Sequence, residues 1–187
     1  NADAKQTYSN VMKVYFIFLL FIFLGVIAYM DILQYFVGEE YRSGLKVVPI
    51  LLAANLCLGV YYNLSIWYKV SDKTIYGAYI SIIGAVVTLV LNYLLVPQFG
   101  YMGAAYTTLI CYFLIMVICW AFGQKYYPVK YPLKRLFLYT MLAFGLFLLM
   151  NNNTIANIPL KLFVNSILLL VFAVVAYWFE LRKALKR

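Results

Sequence analysis

Five stretches of this chain contain no charged side chain over 17 residues or more: Val14–Met30, Val47–Tyr68, Thr74–Gln124, Leu136–Leu160 and Leu162–Phe179. A helix needs about 20 predominantly apolar residues to cross the hydrocarbon core of a bilayer. Thr74–Gln124, at 51 residues, is too long for one crossing. It fits two, joined by a tight turn at Pro97-Gln98-Phe99-Gly100. Six helices are therefore expected, roughly over 12–35, 46–68, 75–96, 101–123, 133–150 and 160–180. A transmembrane β-barrel would show alternating segments of about ten residues, not an unbroken run such as Phe16 to Leu24. Apolar residues make up 66% of the chain and charged residues 11%, against roughly 25% charged in an average soluble domain. A soluble domain of this length leaves too many residues at its surface to hide so many apolar side chains. The expected fold class is all-α: a polytopic transmembrane helical bundle.

The net charge of +9 raises nucleic acid as a partner, but the placement of the charges argues against it. Numbering the loops alternately puts Lys5, Lys13, Lys69, Lys73, Lys125, Lys130, Lys134, Arg135, Arg182, Lys183, Lys186 and Arg187 on one side. Only Arg42, Lys46 and Lys161 fall on the other. Loops rich in Lys and Arg stay in the cytoplasm, so both termini are expected there, with the basic residues meeting anionic lipid headgroups. The split also supports an even number of spans, since one span more or fewer would scramble it.

Several chemistries are excluded. The chain has no His, and no charged residue sits in the middle of an expected span, where proton relays and ion sites are built. The six carboxylates, Asp3, Asp31, Glu39, Glu40, Asp72 and Glu180, lie in loops or at membrane edges. Cys57, Cys111 and Cys119 match no metal motif and read as small packing residues. There is no nucleophile elbow, phosphate-binding glycine loop or zinc motif, so no enzymatic activity and no cofactor are expected.

Polar residues instead mark helix contacts. The second helix carries Asn55, Gly59 and Asn63 at intervals of four, with Ser65 nearby. The third carries Ser81, Gly84, Thr88 and Asn92. The fourth opens with Gly103-Ala104-Ala105 and continues to Thr107, Thr108 and Cys111. Small residues at this spacing let membrane helices approach closely, and amides and hydroxyls bond across the contact. Helices two to four are thus expected to form the protein-facing interior. The first and sixth, apolar nearly all round, are expected to face lipid. Asn63 and Asn92, near opposite ends of their spans, are candidates for lining a hydrated cavity. The segment Asn63 to Thr74 sets Lys69 and Lys73 beside amide, hydroxyl and aromatic groups. Such a cluster suits the phosphates of an anionic lipid substrate, and equally a positive-inside anchor with an aromatic belt.

Four stretches carry a resemblance. They are Gly38-Glu39-Glu40-Tyr41-Arg42-Ser43-Gly44 followed by Val48-Pro49-Ile50-Leu51-Leu52; Asn63-Leu64-Ser65-Ile66-Trp67-Tyr68-Lys69; Leu91 to Thr108, with Asn92, Pro97, the Gly100 turn and Gly103-Ala104-Ala105; and Gly123-Gln124-Lys125-Tyr126-Tyr127-Pro128. Together they resemble the C-terminal part of bacterial polysaccharide-biosynthesis flippases, the Wzx-like O-antigen and capsule exporters, in the same superfamily as MATE exporters and lipid II flippases. The resemblance implies spans nine to fourteen of a longer transporter, with missing helices upstream. Residues 12–123 would be four helices of the C-terminal lobe, and 133–180 an appended pair, within one membrane domain. It implies a bacterial inner-membrane protein that flips an undecaprenyl-diphosphate-linked oligosaccharide, with Asn63, Lys69 and Lys73 contacting substrate and Asn92 lining the cavity. Cationic cavity residues of the family would lie mainly in helices absent here. The alternatives are a cation-coupled MATE-type exporter, which should show buried carboxylates, a polysaccharide polymerase, which should show a large external loop, and a membrane scaffold.

Overall fold

A computed structural model describes residues 2–153 and 157–181, and all the regular structure among them is helical. The long helices are α1 (Ala2–Ala28), α2 (Val48–Leu64), α3 (Ile75–Phe99), α4 (Tyr101–Tyr126), α5 (Leu133–Asn151) and α6 (Ile158–Ala176). Six helical segments are long and apolar enough to cross a membrane, as the charge-free runs require. The protein is a multi-pass membrane protein. The basic residues Arg182, Lys183, Lys186 and Arg187 lie outside the described residues.

Three boundaries differ from the sequence reading, for physical reasons. The polar segment before the first apolar run is not a loop: α1 begins at Ala2. Asp3 complements the helix dipole in its first turn. The Thr7 hydroxyl bonds the Asp3 carbonyl at 2.9 Å and Gln6 reaches Asn10 at 3.3 Å, both one turn apart. Pro97, expected in the break after the third helix, lies instead in the last turn of α3, where its missing N–H leaves only the Tyr93 carbonyl without a helical donor, next to end carbonyls that have none in any case. The turn itself is Gly100, at φ +55°, a conformation that glycine adopts without a Cβ clash. The expected external loop after α1 is ordered, as short helical turns Met30–Leu33, Gln34–Phe36 and Glu39–Val47.

The chain forms two compact units. One comprises residues 2–12 with 44–131, the other residues 13–43 with 132–153 and 157–181. Contacts thus place most of α1 with the last two helices.

In the first unit α4 packs against both α2 and α3. Its buried stripe is Gly103, Thr107, Cys111, Ile115, Cys119 and Gly123, one residue every four. A Cβ on Gly103 would run into the Leu95 carbonyl oxygen and stand 2.7 Å from the Leu95 carbonyl carbon, so backbone meets backbone across the hairpin. Further along, the Thr88 hydroxyl donates to Cys111 Sγ at 3.1 Å, and the Cys111 thiol to the Gly84 carbonyl at 3.3 Å. The expectation that helices two to four are interior holds for α4 and fails for much of α3, which buries only Ile80 and Gly84. Asn55 and Ser81 are exposed and bond their own helix, to the Leu51 and Gly77 carbonyls.

In the second unit, α6 is not uniformly apolar. Asn165 is 2% exposed; its amide donates to the Ala28 carbonyl at 3.2 Å and accepts from Asn153 at 3.4 Å. The next residue, Ser166, bonds the Tyr29 hydroxyl at 3.0 Å, and one turn before Asn165, Lys161 pairs with Asp31 at 2.7 Å. These bonds tie the end of α1 to the start of α6.

Candidate functional site

The basic end of the first unit is built on two aromatic rings seated on glycines. The short helix Ile66–Val70 follows α2 after a single residue, Ser65, and carries Trp67 and Tyr68. Both rings are buried, although the segment lies between two spans. A Cβ on Gly123 of α4 would stand 3.0 Å from Trp67 Cδ1, and one on Gly77 of α3 would stand 3.0 Å from the Tyr68 ring. Each ring therefore covers bare backbone of a neighbouring helix.

A cluster grows outward from Trp67. Tyr126 stacks on it with ring centroids 5.8 Å apart and planes 18° apart. Tyr76 lies 5.6 Å away, and its hydroxyl donates to the Tyr126 hydroxyl at 2.9 Å. Phe122 continues the stack beyond Tyr126. Offset and tilted arrangements of this kind suit the ring quadrupole.

Cations are laid over this cluster from three separate elements. Lys73, between the short helix and α3, holds Nζ 4.0 Å from the Tyr126 ring centroid. Lys125 of α4 approaches the same ring at 5.6 Å, and Lys5 of α1 lies 4.5 Å from the adjacent Tyr127 ring. Among the described residues, none of the three lysines is paired with a carboxylate. One turn after Lys5, the Ser9 hydroxyl donates to the Lys130 carbonyl at 2.8 Å, and Gln124 holds the Val129 carbonyl at 2.9 Å. The connection after α4 is thus pinned at its middle, at Val129 and Lys130. Burial pushes the Tyr131 phenol there up to about 12, so it stays neutral near pH 7.

The four residues singled out from the sequence fall at two places. Asn63 in the last turn of α2, Lys69 and Lys73 share the basic end. Lys73 is engaged by Tyr126, whereas Lys69 is exposed and touches no ring or carboxylate among the described residues. Asn92 lies 17 residues into α3 from Ile75, roughly 25 Å along the axis at 1.5 Å per residue, and so belongs to the other end. The Oδ1 atoms of Asn63 and Asn92 are both buried and accept no hydrogen bond among the described residues. The buried Thr107 hydroxyl is in the same position, on the helix that packs against α3.

Sequence reasoning passed over Gly77 and Gly123 as ring seats and Lys5 and Lys125 as partners of Lys73. The one signal available was the run Lys125-Tyr126-Tyr127, which places a cation beside two rings. Among the described residues, no group of three or more His, Cys, Asp or Glu is placed to hold a metal. No family model, curated protein or solved structure matches this chain.

Proposed function

We propose that this chain is the C-terminal part of a bacterial inner-membrane flippase that carries an undecaprenyl-diphosphate-linked oligosaccharide to the outer leaflet. The reading rests on the resemblance carried by residues 38–52, 63–69, 91–108 and 123–128. The single structural observation in its support is the lysine Lys73, held on an aromatic ring at the end of a membrane-spanning unit and in no ion pair with a carboxylate among the described residues. A diphosphate headgroup needs such unneutralised cations. On this reading the loop charges are expected to turn this end, and both termini of the chain, to the cytoplasm, where the lipid-linked substrate is made.

In this mechanism Asn63, Lys69 and Lys73 receive the headgroup at the cytoplasmic face. Asn92, its side-chain carbonyl without a donor among the described residues, lines the path through the membrane. The sugar crosses in a hydrated cavity completed by helices upstream, while the polyprenyl tail stays in lipid. Alternation of the cavity between faces follows the rocking of helical repeats seen in secondary transporters.

Deleting the gene should make the lipid-linked oligosaccharide accumulate on the inner leaflet while surface glycan falls. Normal surface glycan without accumulation would overturn the assignment. Lys69→Ala and Lys73→Ala together should reduce export at unchanged membrane abundance. An equal fall in both would assign the two lysines to topology alone.

A further inference from the structure

We propose that Lys5, Lys73 and Lys125, set over the Tyr126–Tyr127 pair, form a cradle for the phosphate group of an anionic membrane lipid. The site shares Lys73 with the transport reading and does not rest on it.

Three observations carry the proposal. The first is convergence. The lysines come from α1, from the turn before α3 and from the end of α4, and they meet on two consecutive rings at 4.5, 4.0 and 5.6 Å. Lysines that served only to set topology would need no common address. The second is charge. Lys73 and Lys125 share the Tyr126 ring, so their ammonium groups lie within about one Debye length of each other, roughly 8–10 Å in physiological salt. None of the three forms an ion pair with a carboxylate among the described residues, although Asp72 adjoins Lys73 and Asp3 lies two residues before Lys5 in the sequence. An anion placed among the three removes their mutual repulsion and accepts charge-assisted hydrogen bonds from them. The third is rigidity. Tyr126 is held by the Trp67 stack and the Tyr76 hydroxyl, and the segment after Tyr127 is held by Ser9 and Gln124. The rings fix where the lysine heads rest before any anion arrives, which lowers the entropy lost on binding.

The position selects a lipid headgroup. Tyr126 is the last residue of α4, and Lys73 stands two residues before α3 begins. α1, at 27 residues, is about 40 Å long, longer than the roughly 30 Å hydrocarbon core. Its Lys5 end therefore extends to headgroup level when the apolar part of the helix spans.

The test titrates the purified full chain in uncharged detergent with short-chain phosphatidic acid, with phosphatidylcholine of the same chain length, and with inorganic phosphate. Bound lipid is counted by native mass spectrometry. Wild-type protein should retain phosphatidic acid in preference to phosphatidylcholine. The K5Q/K73Q/K125Q variant should lose that retention by about tenfold or more, one decade per 1.4 kcal/mol lost. The K5R/K73R/K125R variant, which keeps charge and ring contact, should hold it. Lys46→Gln, a lysine remote from the cradle, should leave it unchanged. Displacement of the lipid by millimolar inorganic phosphate would assign the cradle to free phosphate instead of a lipid headgroup. Equal retention by the wild type and the glutamine variant, or equal loss on Lys46→Gln, would overturn the proposal. Should the glutamine variant fail to fold, Tyr127→Leu removes the ring under Lys5 alone and must weaken retention.

Discussion

The Tyr126 ring meets two partners: Trp67, stacked on it at 5.8 Å, and the Lys73 ammonium, 4.0 Å from its centroid. One side chain thus joins an apolar packing contact to a cationic one. Trp67 should report on this in a variant whose other tryptophans are replaced, W120F/W178F. Tyr126→Leu removes the stacked ring and should shift Trp67 emission to the red as water reaches the indole. Tyr126→Phe keeps the ring and loses only the bond to Tyr76, so its shift should be smaller. Lys73→Met should leave the emission close to wild type. Unchanged emission in Tyr126→Leu would show that the stack does not form.

A glycine-to-alanine series should separate the glycines by what their missing Cβ would meet. At Gly103 the neighbour is the Leu95 backbone, which cannot yield without moving a helix. Gly103→Ala should be the worst, at about 3 kcal/mol or more, the range of core overpacking. Gly123→Ala meets the Trp67 ring at 3.0 Å and Gly84→Ala meets Ile115 Cγ2 at 3.2 Å. Both should cost roughly 1–2 kcal/mol, the first more because its ring is boxed in by Tyr126. At Gly25 and Gly145 an added Cβ would find nothing within 4 Å; alanine there should be neutral or stabilise by up to about 1 kcal/mol through helix propensity. Unfolding in mixed micelles measures the order. Equal losses at Gly103 and Gly145 would rule out close α3–α4 packing.

The number and type of helices were legible because charge-free length is set by bilayer thickness, and Thr74–Gln124 could be cut only at its Pro97–Gly100 turn. The small-residue spacing from Gly103 through Thr107 to Cys111 pointed to the buried stripe of α4. Its continuation to Cys119 was hidden by the larger Ile115 at the same spacing. The aromatic site was not legible. Its defining contacts, such as Tyr76 with Tyr126 across 50 positions, depend on helix register, which no local pattern specifies. Asn165 was hidden for a related reason. One amide in an apolar helix averages away in a hydropathy window, yet its partner is a carbonyl 137 residues distant.

That amide should matter. Asn165→Leu fills a similar volume but leaves the Ala28 carbonyl without its donor and removes the acceptor that Asn153 meets. The expected loss is about 1–2 kcal/mol, between the small average of interhelical bonds in membranes and the cost of a buried unsatisfied group. Asp31→Asn and Lys161→Gln should not add when combined, because each single change already breaks the 2.7 Å pair. A double-mutant cycle should give a coupling of roughly 1 kcal/mol, the upper end for partly exposed pairs. Strict additivity would mean that the ion pair contributes nothing.

Orientation can be settled by labelling. The charge split predicts that Thr74 lies on the cytoplasmic side and Glu40 outside, and both side chains are exposed. In a background of Cys57→Ala, Cys111→Ser and Cys119→Ala, serine keeps a hydroxyl to meet Thr88 and Gly84 in place of the Cys111 thiol. A membrane-impermeant thiol reagent applied to whole cells, with the outer envelope made permeable, should modify Glu40→Cys. Thr74→Cys should react only after the inner membrane is opened. The reverse pattern would invert the topology and put Lys73 and its ring on the external face. A flippase whose phosphate-binding lysines meet the substrate before transport could not be built that way.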